Sequence, residues 1–253
     1  MKPGPILLAL LLLGGCEGGP AAPNDAKPQG NTGFPAADRP VATIVSARWS
    51  DEESRDRLNE AGKVMDLAGI TPGMTVADIG AGEGYYTIRL AQRVGAKGRV
   101  VAEDIVPDTI AQLGTRVVRE RLNNVSVRLG LPADPRLPEG SFDRVLMVHM
   151  YHEIESPYEF LWRLRPSLRP DGEVIVVDAD RPTEHHGTPP ALLKCEFAAV
   201  GYTLVSTRPM PSAGGYIAIF RAMGPRPEPA MIEACKSGAR ATPAAVQPGK
   251  GSE

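Results

Sequence analysis

The 253-residue chain is 42% apolar and 23% charged, with 28 basic residues against 30 acidic ones. That composition supplies one packed domain of roughly 180 residues plus flexible ends. A net charge of −2 with no basic stripe argues against nucleic acid as the main partner.

Near the start, Lys2 precedes an apolar run from Ile6 to Leu13. This run is far too short to span a bilayer as a mature helix. Leu13-Gly14-Gly15-Cys16 then places small residues before a cysteine. Segment 1–16 resembles a bacterial lipoprotein signal peptide. The resemblance implies cleavage before Cys16, lipid on its sulfur and amine, and attachment to a membrane through that cysteine. The expected location is the cell envelope, lipid-anchored and facing the periplasm, or the cytoplasm if the signal is not used. Glu17 after the cysteine implies outer-membrane sorting on the same resemblance. Residues 17–40 are rich in Gly, Pro, Ala and Asn and read as a flexible linker.

Ser50-Asp51-Glu52-Glu53 reads as a capping box opening a helix to about residue 68. Thr71-Pro72-Gly73 turns the chain into a short apolar strand, Val76 to Ile79. Asp78 lies in that strand, and Gly80-Ala81-Gly82-Glu83-Gly84 follows it. Tyr85 to Val94 continues at helical spacing. Strand, glycine-rich turn and helix N-terminus together form a nucleotide-site geometry. A dinucleotide fingerprint needs a third glycine where Tyr85 stands. Glu83 in the turn would repel a pyrophosphate but tolerate a cation. A tight turn without a ligand is the plain alternative.

On these residues the turn resembles motif I of the class I S-adenosylmethionine-dependent methyltransferases. The resemblance implies S-adenosylmethionine as cofactor, with Asp78 accepting a hydrogen bond from its ammonium group. It implies a cofactor site of Asp78, Gly80, Ala81, Gly82, Gly84 and Tyr85. Tyr85 or Tyr86 covers the methionine end, or both simply pack helix on sheet.

Gly98 to Ile105 reads as the next strand and ends in Glu103-Asp104. Asp104 resembles the family's ribose-binding acid, with Ile105 in the slot that packs on adenine. Glu103 is its rival by one position, because a strand alternates faces. Pro107-Asp108 opens a helix carrying Ile110, Leu113 and Val117 on one face. Val125 to Gly130 is a third strand. The family often places an acid just after it, but here Leu131 follows and the acid comes late, at Asp134. Either the Leu131 backbone or Asp134 is left for the adenine contact.

Ser141-Phe142-Asp143 leads a nearly continuous apolar strand to Val148, as in buried parallel sheets. Ser156-Pro157-Tyr158-Glu159 reads as a second capping box, and Arg169-Pro170-Asp171-Gly172 stops the helix it opens. Glu173 to Asp178 is a further strand. Thr188-Pro189 starts a helix that Gly201 ends. Tyr202–Thr207 and Tyr216–Arg221 form a hairpin. The predicted fold is α/β: a Rossmann-like seven-stranded, mostly parallel sheet with helices on both faces and an antiparallel C-terminal hairpin. The methyltransferase resemblance covers 41–222, most like bacterial proteins read as methyltransferases that carry a secretion signal. Residues 223–253 are poor in core residues and read as a disordered tail.

All four histidines follow two of these strands: His149 and His152 after the fourth, His185 and His186 after the fifth. If the strands are neighbours, every histidine lines the mouth of the cofactor cleft. His152 is the first candidate base, with Glu153 as orienter or alternate, and Tyr151 and His149 beside them. Asp178, His185 and His186 are the expected substrate wall, with Asp180 near them. The spacing matches no metal template, so no metal site is assigned. A divalent ion among His152, Glu153, Asp178, Asp180, His185 and His186 is the rival reading. The plain alternative is that Tyr151-His152-Glu153 only packs a loop. Trp49 is either a lid or a core anchor. Cys195 reads as a buried small hydrophobe and Cys235 as part of the tail, with a disulfide between them as the alternative.

The leading expectation is methyl transfer to oxygen or nitrogen of a small-molecule or membrane-proximal acceptor. A non-catalytic binding or scaffold lipoprotein that keeps the fold is the second reading. A nicotinamide oxidoreductase is the third, disfavoured by Glu83 and Tyr85.

Overall fold

The computed structural model of the chain describes residues 33–44 and 51–236. The signal segment with Cys16, most of the linker, Trp49, Ser50 and residues 237–253 lie outside the described residues. No helix among the described residues is long and apolar enough to cross a membrane.

The centre is a seven-stranded sheet in the order β3-β2-β1-β4-β5-β7-β6. Its strands are β1 (Thr75–Ile79), β2 (Arg99–Asp104), β3 (Val125–Leu129), β4 (Phe142–Val148), β5 (Leu168–Asp178), β6 (Tyr202–Met210) and β7 (Gly215–Ala222). The first five pair in parallel, and β7 runs antiparallel to both β5 and β6. The expected architecture holds, including the C-terminal hairpin. Strand alternation sends neighbouring residues to opposite faces. Val76, Leu146 and Ile175 face one apolar layer, which the helices α2 (Glu60–Leu67) and α3 (Tyr85–Val94) cover. Ala77, Val145 and Val174 face the other, covered by α5 (Pro157–Leu164) and α6 (Pro190–Ala199). The fourth helix, α4 (Pro107–Arg119), buries Leu113. Ile79 stands opposite both Glu103 and Met147, so β1, β2 and β4 end at one edge. Strand order reverses between β1 and β4, the place where open α/β sheets bind ligands.

Several boundaries differ from expectation. The predicted helix to residue 68 is two helices, α1 (Glu52–Arg57) and α2. Asn59 breaks it in the left-handed region at φ +48°, which asparagine tolerates better than most residues. Asp51 caps α1, its carboxylate accepting from the Ser54 amide at 2.7 Å. Ser156 makes no side-chain cap on α5, which relies on Pro157 in its first turn. The 169–172 segment forms an irregularity inside β5, where pairing with β4 jumps from Leu168 to Glu173.

The largest correction is at the ends. Residues 223–236, expected as disordered tail, pack on α5. The Trp162 indole donates to the Pro227 carbonyl at 2.8 Å, Arg165 donates to the Met223 carbonyl at 2.9 Å, and the Cys235 amide donates to the Tyr158 hydroxyl at 2.7 Å. Cys195 and Cys235 form a disulfide with Cα atoms 6.0 Å apart. From the other end, Arg39, inside the expected linker, is buried and pairs with the buried Glu196 at 2.8 Å. Phe34 meets the Trp162 ring edge-on. These segments are fastened to the domain by hydrogen bonds, an ion pair and the disulfide. They have no periodicity of their own, so composition misjudged them.

Candidate cofactor and active site

A cavity of about 880 Å³ opens at the C-terminal edge of β1, β2 and β4, within the range of ligand pockets that enclose a small molecule. Asp78, Gly80, Ala81, Gly82 and Glu83 form its floor. The turn holds its shape for steric reasons. Gly80 has φ +64°, and a Cβ there would come within 2.9 Å of the Met150 side chain. Gly84 caps α3 at φ +90°, where a Cβ would meet Leu113 at 2.5 Å. Both positions demand glycine. The Asp104 carboxylate receives the Gly82 amide and the Val106 amide, each at 3.0 Å, and so locks the turn to the end of β2. Asp78 accepts a 2.6 Å hydrogen bond from Thr87 of α3.

Glu103 and Asp104 both line the cavity, although alternation leads one to expect a single carboxylate there. Burial, then the adjacent Asp104 charge, pushes Glu103 up to about 8. Its Oε1 is buried with no hydrogen-bond partner among the described residues. Burial also pushes Asp78 up to about 6, against the bond from Thr87. Among the described lining residues Asp51, Glu52, Asp78, Glu83, Glu103, Asp104, Glu153 and Glu155 are acidic and Arg55 is the basic one. Such a wall favours a cationic ligand and repels a phosphate.

Helix α1 closes one side. Arg55 stacks 3.7 Å from the centre of the Tyr85 ring and donates to Glu60 at 2.7 Å. Arg89 covers Tyr85 at 3.8 Å. The Tyr85 and Tyr86 hydroxyls donate to Asp56 at 3.0 Å and Glu60 at 2.9 Å. Arg116 of α4 donates to Glu52 at 3.1 Å and to the Glu83 carbonyl at 2.8 Å. The tyrosines therefore both line the cavity and fasten α1 and α2 to α3.

Residues 76–172 match the family model described as a methyltransferase domain. This segment is a class I S-adenosylmethionine-dependent methyltransferase domain. The chain is 35% identical over 117 residues to the nocamycin O-methyltransferase of Saccharothrix syringae, across 45% of this chain and 41% of that one. It is 29% identical over 140 residues to the arsenite methyltransferase of Halobacterium salinarum, across 53% and 35%. The chain thus spans less than half the length of either relative. A methyltransferase structure from Aquifex aeolicus superposes with a TM-score of 0.58 at 22% identity, covering 68% of this chain and 97% of that one, and shows the shared fold.

The cofactor of the methyltransferase domain is S-adenosylmethionine, and the residues present fit it. Its sulfonium and ammonium suit the acidic wall. Its ribose hydroxyls are donors of the kind that the unpartnered Glu103 oxygen lacks. Ile105 and Pro132 add apolar wall beside Asp104. Leu131 and Asp134, the two expected adenine contacts, are absent from this wall. They pair with each other's backbone in a tight turn, and Pro132 between them faces the cavity.

The histidines divide in a way the sequence did not show. Among the described residues His149 is the histidine that lines the cavity, from a strained φ of +55°. Burial pulls its imidazole below the usual histidine value, so the ring is neutral at neutral pH. His152, expected as the base, is fully buried and outside the lining. Its Nδ1 meets the Asp178 carboxylate at 3.0 Å. Asp178 is also fully buried and accepts from Thr188 at 2.7 Å and from the Ala179 amide at 2.9 Å. Tyr151 is a core residue whose hydroxyl donates to Glu196 at 2.7 Å. Glu153 lines the cavity. His185 is exposed, and His186 meets the His152 ring edge-on at 5.5 Å. Asp178, His185 and His186 therefore do not form the expected substrate wall. Arg55, Ile154 and Phe160 line the cavity, and the sequence reading gave them no role there. Arg55 lies four residues after the Asp51 cap, on the helix that faces the site, but no motif marks it.

Proposed function

We propose that this chain transfers the S-adenosylmethionine methyl group to oxygen or nitrogen of a small-molecule or membrane-proximal acceptor. The observation that carries the reading is the glycine turn and its acidic wall: a volume fit for a cationic nucleoside beside a neutral, cavity-facing imidazole. Methyl transfer is an in-line displacement in which positioning supplies most of the acceleration. Asp78, the glycine turn and Asp104 would hold S-adenosylmethionine, which would supply the methyl group and be released as a neutral thioether, while His149 would accept the proton lost by the acceptor oxygen or nitrogen. This role moves from His152, whose Asp178 partner holds it away from the cavity. Calorimetry of the full chain with S-adenosylhomocysteine tests the site. Micromolar binding that competes with S-adenosylmethionine supports the reading, and no binding at millimolar ligand overturns it.

We further propose that the domain is exported and lipid-anchored through Cys16. Disulfides persist in oxidising compartments and are rare in the cytosol, so the Cys195–Cys235 bridge supports export. Mass spectrometry of the chain from its native membranes checks both points. An acylated N-terminal Cys16 with 195 and 235 resistant to alkylation is the expected result. An unprocessed N-terminus with free thiols overturns it.

A further inference from the structure

Behind the cavity wall His152, Glu153 and His186 converge. One ligand atom from each lies within 4.8 Å of the others. We infer that these three side chains form a divalent transition-metal site, with Zn²⁺ as the ion their chemistry fits best. The inference does not depend on methyl transfer.

Two imidazoles and a carboxylate with a coordination position left over are the ligand set of an open zinc site. Atoms about 2.0–2.2 Å from such an ion sit roughly 3.3–3.5 Å apart. The observed spacing therefore closes by side-chain rotations of about an ångström. Glu153 and His186 are half-buried and able to make them. His152 is already oriented. Asp178 engages its Nδ1 at 3.0 and 3.1 Å, which selects the tautomer whose Nε2 carries the ligating lone pair. Asp178 is itself set by Thr188 and the Ala179 amide. A carboxylate behind a ligating histidine is the usual outer support of a metal site, and here it is complete. This arrangement also accounts for a carboxylate–imidazole pair with no exposure to solvent.

Glu153 belongs both to this cluster and to the cavity lining, so the ion would stand at the cavity wall. Its open position would take water or the oxygen of an acceptor.

The test is metal uptake by the full chain, stripped with chelator and then titrated with Zn²⁺ or Co²⁺ in the absence of cofactor. A single equivalent should bind, and Co²⁺ should show the visible absorption of nitrogen- and oxygen-ligated tetrahedral cobalt. His186→Ala and Glu153→Gln, both at partly exposed positions, should each weaken binding by at least about 100-fold. Asp178→Asn should weaken it by about 10–100-fold. S-adenosylhomocysteine affinity of His186→Ala, read by calorimetry, should stay within a few-fold of the parent and shows that the fold is intact. Failure of that cofactor binding in the parent chain would count against the methyltransferase reading alone. Substoichiometric uptake by the parent chain, or parent-like uptake by the two ligand variants, overturns the metal site.

Discussion

The two ends of the functional edge solve opposite problems. Around β1 and β2, carboxylates stand in the cavity at a cost: Asp78 and Glu103 are buried and held well above ordinary carboxylate values. After β5 one carboxylate is fully engaged, as Asp178 meets His152 and accepts from Thr188 and a backbone amide at once. A buried unpartnered oxygen such as Glu103 Oε1 marks where a donor is wanted, whereas the fully engaged Asp178 marks what orients the groups around it.

The largest effect that would break this contrast is at His149. His149→Ala should lower kcat by about 10²–10⁴-fold while S-adenosylhomocysteine affinity stays within a few-fold. Parent-like turnover would remove the base from the cavity side. Asp178→Ala should instead act on stability. Leaving His152 and Thr188 buried without their partner should cost about 3–5 kcal/mol by chemical denaturation, and loss of activity without loss of stability would break the distinction.

On the cofactor side, Asp104→Asn keeps the shape but removes the charge that the Gly82 and Val106 amides meet. With charge-assisted bonds worth about 1.5–3 kcal/mol, cofactor affinity should fall by about 10–100-fold in calorimetry, with kcat at saturation changed less.

The smallest effect sharpens the electrostatics. The folded chain holds a proton on Glu103 up to about pH 8, above the ordinary value of 4.5. Its contribution to stability is therefore present below about 4.5 and lost as pH rises through about 8. Glu103→Gln should flatten the decline of the melting temperature over that window by a few degrees. For the parent, affinity for the cationic cofactor should rise as Asp78 and Glu103 lose their protons, between about pH 6 and 8. An affinity that falls over this range would contradict the acidic wall.

Legibility in the sequence followed contact distance along the chain. Helix α3 lies at Tyr85–Val94, where its spacing placed it. The mostly parallel seven-stranded sheet with its C-terminal hairpin was legible in the alternating elements and the family resemblance, whereas the strand order came from the structure. Asp78, Gly80 and Gly82 stood out together because strand end and turn are neighbours in sequence, whereas Asp104, 22 residues from Gly82, was singled out by the family resemblance. Leu131 and Asp134 were misplaced by one turn of chain, since only the local pairing there decides that Pro132 faces inward.

The sequence alone determined the α/β sheet, the glycine turn and the acids beside it, since short-range sterics and hydrophobic alternation act within a few residues. Tertiary structure alone decided which histidine meets the cavity, because the partner that withdraws His152 lies 26 residues away on another strand. It also decided that the C-terminal segment is ordered and that Cys195 meets Cys235 across 40 residues. Those outcomes rest on which donors and thiols the packed domain brings together, and no local pattern encodes that.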